Sequence, residues 1–551
     1  MKDKLLTPLA GLLVAGIILL LFSKGLHDPD VGWPDADRVL MDGLFLYDFL
    51  RELPALLSAD FVQNAYRYAL EYYAQYPALS LMGSRPPFFP LIEALFFSWF
   101  GVRDFSGKLA VLAMALCGAV AWHDLIRRSF DRPTALLASC LLFSTPFIAQ
   151  WGWYPMLEIP VLAMSLLTTN FFWRYSESGR PQWLFATAIG LALTIWTKQT
   201  ALFMAIWFLG WLLITGQARI AFRQRATWWA MLLCLLLVLP LGIATLLLGK
   251  LNITLAFEGM DPALRGLGLT DWVYLRKYLD LLWQTQVTWP VLMLALVGVV
   301  LAGWRRDRRV LFYLLLIVTT YIFFTVIRSD RVDRYTIFWV PAFALLAALP
   351  GHYLRHNPLV RNATWLTLTL VILWQVQVSH AQTPTATRGY QEAARLAMQH
   401  TRHGMIFMDG VNNGYFIYYV RLNDPERRHH VIRGDKLLHS SAIFANAWTE
   451  VHVQDVAAIR NHFDRYGIDI IVVEEANYAN LPIHQMLRDD LKGDDFELLQ
   501  SIPVESGRSA LRGQKLLVYR YKHAKPPTRQ DLAISIPLIG KTFQVTIGRH
   551  Q

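Results

Sequence analysis

The stretch LLTPLAGLLVAGIILLLFSKGLHDPDVGWPDADRV (residues 5–39) decides how the rest of the chain is read. Residues 5–23 form an apolar run close to the ~20 residues that a helix needs to cross a bilayer. Lys2 and Lys4 precede the run, and the acids Asp35, Asp37, Asp42 and Asp48 follow it. Basic residues stay on the cytoplasmic side of a membrane, so the chain is expected to start inside and emerge on the far face. No small-residue cleavage site precedes His27 and Asp28, which favours a retained anchor over a removed signal peptide.

The same pattern recurs along the chain. Its 551 residues are 54% hydrophobic and 17% charged, where a soluble protein carries about 25% charge. Apolar runs predict further spans near 107–126, 134–150, 157–174, 182–196, 200–215, 228–248, 289–304, 310–327, 336–350 and 363–379. The expected fold class is therefore a polytopic α-helical membrane protein of about eleven transmembrane helices.

A formal net charge of +11 raises nucleic acid as a partner, but its placement argues otherwise. The basic clusters Arg127/Arg128/Arg132, Arg174/Arg180, Arg219/Arg223/Arg225, Arg305/Arg306/Arg308/Arg309 and Arg355/Arg361 occupy every second short loop. That is the signature of cytoplasmic loops, so the charge sets topology and no nucleic acid is expected. Membrane lipids are the surroundings. An odd number of crossings leaves the C-terminus outside. Cys117, Cys140 and Cys234 fall in expected spans, with no metal motif and no disulfide framework among them.

The outer loops are unequal. The first, residues 25–106, holds the acid cluster, a segment ALEYYAQYP (69–77) suited to an interfacial amphipathic helix, and FFPLIEALFFSWF (88–100), too short to span. The other long one, 249–288, carries Glu258, Asp261 and Arg265. After Gln382 the composition becomes that of a soluble domain. Helical GYQEAARLAMQH (389–400) and QDVAAIRNHFDRYGI (454–468) alternate with strand-like MIFMDG (405–410), HHVIRG (429–434), DIIVVEE (469–475) and QKLLVYRYK (514–522). NNGYFIYYVR (412–421) reads as helical or mixed. The expected division is a transmembrane domain over 1–382 and a C-terminal extracytoplasmic α/β domain over 383–551. It has no P-loop and no G-x-G-x-x-G, so nothing marks it as a nucleotide enzyme.

Four carboxylates at a membrane surface can solvate a loop and cap helices, bind a cation, or serve as a base. Five stretches bear on the choice: DADRV (35–39), SRPPFFPLIEALFFSWFGVRDFSGKL (84–109), GWYPMLEIPVLAM (152–164), TKQTALF (197–203) and DRYTIFWVPAFALLAALP (333–350). In that order, over roughly the first 350 residues, the chain resembles the GT-C membrane glycosyltransferases, the superfamily of protein O-mannosyltransferases and lipid A aminoarabinose transferases (glycosyltransferase family 39).

The resemblance implies a GT-C fold and transfer of a sugar from a polyprenyl-phosphate donor to an extracytoplasmic lipid, glycan or protein acceptor at the cell inner membrane. It implies a catalytic carboxylate in DADRV, where Ala36 and Val39 stand in place of the family's Glu and Tyr, so Asp35 and Asp37 are both candidates. Glu158 becomes a second acid of the site, and Arg85, Lys198 and Arg334 become ligands of the donor phosphate. No cofactor is required by the motifs; a divalent cation between Asp35 and Glu158 is left open.

The residues support that reading by themselves. A phosphate at the interface needs fixed cations at outer span ends. Lys198 sits on the outer side, against the usual bias, although a lysine there can also snorkel to headgroups. No carboxylate lies within ten residues of it, so its partner is distant in sequence or a ligand. Glu158 has a plain alternative as an interfacial anchor, and Arg334 as the ion-pair partner of Asp330 or Asp333. Two rival functions remain at this level: a polyprenyl-lipid transporter or flippase, and a non-catalytic lipid-binding scaffold. Apolar span interiors with ionisable groups gathered at outer ends argue against the transport path.

Overall fold

A helix satisfies its own backbone hydrogen bonds, which is why apolar runs that meet hydrocarbon become helices. A computed structural model describes residues 2–28, 30, 32–80, 85–248, 271–327, 332–440, 450–476, 481–526, 531–536 and 541–546. Glu258, Asp261 and Arg265 of the second long loop lie outside these. Five of the described helices are long and apolar enough to cross a membrane: Leu9–His27, Asp104–Ser129, Arg225–Leu247, Asp333–Tyr353 and Pro358–Ala381. A sixth arises if Trp272–Gln286 and Trp289–Arg305, bent by 118° at their junction, count as one span. The expected span at 134–150 is two helices, Arg132–Ser144 and Pro146–Trp151, since Pro146 has no N–H to continue the first.

The chain divides into two compact units. One comprises residues 1–27, 83–89 and 108–384. Its helices Glu158–Ser178 and Pro181–Thr197 form an antiparallel pair joined by a turn at Gly179, whose φ of +63° suits glycine. They approach closely because Gly190 offers no side chain: a Cβ there would stand 2.7 Å from the Thr168 hydroxyl. Thr168 and Thr194 hydroxyls then bond across the pair at 3.0 Å. An antiparallel pair returns to its starting level, so Glu158, the first residue of one helix, and Lys198, just after the other, come to the same end.

The other unit comprises residues 28–82, 90–107 and 385–551. Its sheet uses strands β1 (Met405–Asp409), β2 (His430–Arg433), β3 (Ile470–Glu474), β4 (Phe496–Pro503) and β5 (Lys515–Tyr521) in the order β2-β1-β3-β5-β4. β1 is parallel to both β2 and β3, whereas β5 runs antiparallel to β3 and β4. Every residue of β1 and β3 is buried, as unbroken apolar strands covered on both faces require. The strand Phe496–Pro503, the helix Pro482–Asp490 and a hairpin of Asp531–Ile536 with Lys541–Thr546 were not legible in the sequence.

Residues 28–82 pack with this sheet domain. The helix Phe61–Gln75 turns Tyr68 and Tyr72 inward, and Tyr72 donates to Asp48 at 2.8 Å. Arg421 closes on the same carboxylate with Nη2 at 2.7 and 2.5 Å. An aromatic face read as interfacial is in this way committed to buried hydrogen bonds, because a phenol is too polar to bury without a partner.

At the carboxyl ends of the parallel strands, where α/β sheets bind ligands, the protein's own groups fill the space. Asp409 accepts from His484 at 2.9 Å and Arg488 at 2.6 Å. Glu474 accepts the Tyr390 hydroxyl at 2.8 Å and the Val411 and Asn412 amides. His484 in turn meets His439 at 3.1 Å, and both imidazoles are fully buried. Burial, then the neighbouring His484, push His439 down to about 4.

An unfolded histidine titrates near ~6.5, so between that pH and about 4 the unfolded chain binds a proton at His439 that the folded chain refuses. Stability is then fully present above this window and falls as pH drops through it, by roughly 1–3 kcal/mol. Thermal unfolding of the full chain from pH 7 to 4.5 reads the effect, and His439→Gln is expected to flatten it. An unchanged slope in that variant would remove His439 from the explanation.

Candidate functional site

Glu158 opens its helix, where a carboxylate is favoured by the positive end of the helix dipole. The residue is 1% exposed, so its charge needs partners. Lys198 Nζ lies 2.9 Å from Oε1, and Arg334 Nε lies 3.8 Å from the same oxygen. The Tyr335 ring adds a face to both cations, 5.2 Å from Lys198 Nζ and 5.7 Å from the Arg334 guanidinium. Glu158 Oε2 has no hydrogen-bond partner among the described residues. Two cations converge on one carboxylate, and the Asp333 carboxylate accepts the Arg334 backbone N–H at 2.7 Å beside them. Lysine and arginine donors are the side chains that suit an anion with several oxygens, as a phosphate has.

Arg334 is held by a device the sequence did not reveal. It belongs to the 3₁₀ turn Asp333–Trp339. Gln286, fully buried at the end of the π-helical turn Leu282–Gln286, donates to Thr336 Oγ1 at 2.7 Å and to the Asp333 carbonyl. Its Oε1 accepts the Trp339 indole at 2.5 Å. One amide thus ties both ends of the turn. π-turns are rare and gather at functional sites, but the only trace in sequence is a glutamine between apolar helices.

Three of the expected site residues, Glu158, Lys198 and Arg334, come together. Arg85 belongs to the same unit, half-buried on the bend before the helix Phe88–Phe100. Asp35 and Asp37 belong to the other unit. Asp35 has φ +76°, a left-handed backbone that costs a non-glycine residue on the order of 1–3 kcal/mol. It stands at the N-cap of the helix Ala36–Leu56, yet its side chain makes no cap hydrogen bond. Asp37 is buried in the first turn. Asp42 accepts the Ser80 amide at 2.7 Å, and Asp48 holds Arg421 and Tyr72, so these two acids brace the loop. Among the described residues no three His, Cys, Asp or Glu side chains gather to hold a metal ion, and Asp35 and Glu158 belong to different units.

Comparison with known proteins places this geometry. Residues 84–243 match the family model described as dolichyl-phosphate-mannose-protein mannosyltransferase. No curated protein sequence matches the chain. Among solved structures, ArnT from Cupriavidus metallidurans bound to undecaprenyl phosphate is similar at 13% identity and a TM-score of 0.56, over 92% of this chain and 97% of that one. The Archaeoglobus fulgidus oligosaccharyltransferase in its apo form is similar at 10% identity and a TM-score of 0.53, over 84% of this chain and 69% of that one. The mannosyltransferase match includes Arg85, Glu158 and Lys198 and stops short of Arg334. The chain is thus similar in sequence to that mannosyltransferase family over residues 84–243, and similar in fold to these two membrane transferases over most of its length.

Proposed function

We propose that the chain transfers a sugar from a polyprenyl-phosphate donor to an extracytoplasmic lipid, glycan or protein acceptor, with inversion. The observation that carries the reading is the buried Glu158 carboxylate flanked by Lys198 and Arg334, a ready anion seat at one end of a helical pair. That a structurally similar ArnT is bound to undecaprenyl phosphate supports the same donor class.

In this reaction an acceptor oxygen attacks the anomeric carbon while the bond from that carbon to the donor phosphate breaks. The attacking group gives its proton to Asp35, with Asp37 as the rival base. The polyprenyl phosphate leaves with an added negative charge, which Lys198, Arg334 and Arg85 stabilise as it forms. One displacement with one base inverts the centre, by the logic of inverting glycosidases. Glu158 keeps the two cations in register.

The proposal includes about eleven crossings of the inner membrane over residues 1–382, a cytoplasmic N-terminus and an extracytoplasmic 383–551 domain that helps select the acceptor. The test compares envelope glycolipids and glycoproteins between wild type and a deletion strain, with topology reporters placed after Arg225 and after Gln382. A missing glycoconjugate, restored by the gene, is the expected result, with the Gln382 fusion active outside. Identical glycoconjugate profiles, or reporters with reversed sidedness, would sink it.

A further inference from the structure

The helix Asn413–Asn423 begins without a cap of its own. Asn412 holds the N-cap position, yet its side chain makes no cap hydrogen bond. Its amide nitrogen is turned to Glu474 at 3.3 Å and its oxygen toward Arg508 at 3.4 Å. First-turn N–H groups lack partners inside the helix and carry the positive end of its dipole, so a carboxylate there is stabilised.

Asp37 arrives at that turn. A Cβ on Gly414, the second residue of the helix, would lie 1.9 Å from Asp37 Oδ2 and 2.9 Å from its carboxyl carbon. Gly414 has no positive φ, so backbone freedom does not explain it. The space its side chain would take is filled by a carboxylate. Asp37 is only 4% exposed and Asn413 only 3%, so this seat is closed to water. The same helix grips its neighbour twice more, through the Tyr415 hydroxyl on the Gly32 carbonyl at 3.3 Å and Arg421 on Asp48. Both helices and both loops belong to one compact unit.

We infer that Asp37 is a positioning residue whose carboxylate caps the helix Asn413–Asn423, so that the C-terminal residues hold the strained Asp35 turn in place. The helix end commits the Asp37 charge, and proton transfer falls to Asp35 alone. The kinetic part of this inference rests on the proposed sugar transfer; the structural part does not.

The experiment uses the full-length protein in detergent with Asp37→Asn, Asp37→Ala, Gly414→Ala and the double variant Asp37→Ala/Gly414→Ala. Thermal unfolding needs no donor. Asp37→Ala and Gly414→Ala each lower Tm by several degrees, and the double variant is no less stable than Asp37→Ala, because deleting the carboxylate vacates the space. Asn makes the same cap bond, so Asp37→Asn recovers most of the Tm. In the transfer assay Asp37→Ala and Gly414→Ala lower kcat roughly tenfold, and Asp37→Asn only a few-fold with the wild-type pH profile.

Additive losses in the double variant would overturn the seat. An Asp37→Asn protein with wild-type Tm and no transfer would overturn the division of roles, since it would make Asp37 the base. If the wild-type protein itself transfers no sugar, the proposed function fails, and the unfolding cycle still decides the cap.

Discussion

Asp35→Asn lowers sugar transfer by roughly 10²–10⁴-fold while leaving the protein folded. The magnitude is that of a lost general base. The stability side follows from the backbone. Asp35 holds φ +76°, and asparagine tolerates the left-handed region well, so the substitution brings no new strain. Nor does it remove a cap, because the Asp35 side chain makes no cap hydrogen bond to its helix. Shape and size are kept, while the charge and the oxygen that accepts a proton are lost. The measurement is kcat at saturating donor together with thermal unfolding of the same preparation. Transfer within threefold of wild type would remove Asp35 from the mechanism, and activity lost together with folding would make its role structural.

Lys198→Ala acts on two quantities that separate cleanly. Removing the lysine strips Glu158 of its 2.9 Å partner and leaves a side chain only 2% exposed with Arg334 at 3.8 Å. Breaking one side of a buried ion pair costs about 3–5 kcal/mol, an upper bound here because Arg334 remains and the Lys198 side chain keeps 15% exposure. Loss of a charge-assisted bond to the donor phosphate raises the donor KM roughly tenfold or more. The double variant Glu158→Gln/Lys198→Ala distinguishes the two: stability returns in large part, since no carboxylate is stranded, while the donor KM stays high. Lys198→Arg keeps the charge with altered geometry and retains part of the function. If Lys198→Ala leaves donor dependence unchanged in membranes with normal expression, Lys198 serves Glu158 alone and binds no phosphate.

Half of the Glu158–Lys198 pair was legible in the chain order. Two consecutive helices that turn back on themselves bring the start of one level with the end of the other. The lysine without a nearby carboxylate pointed to a partner distant in sequence or to a ligand, and only the structure names Glu158. Arg334 was legible as a motif residue, but its approach to Glu158 depends on a 3₁₀ turn braced by Gln286 and Trp339. A lone buried amide has no periodic signature, so sequence alone could not place it.

The membrane character, the helical content, the basic loops and the strands MIFMD and IIVVE were written in the sequence. Each depends on a residue's own preference for hydrocarbon, water or an extended backbone, which neighbours scarcely alter. Tertiary structure decided the rest. It set the strand order β2-β1-β3-β5-β4, and it joined residues 28–82 to residues 385–551 in one unit. It committed Asp48 to Arg421 and seated Asp37 against Gly414. Those outcomes turn on which buried charge meets which partner across hundreds of residues. No local preference encodes such a meeting; it exists only once desolvation makes an unpaired carboxylate too costly to leave alone.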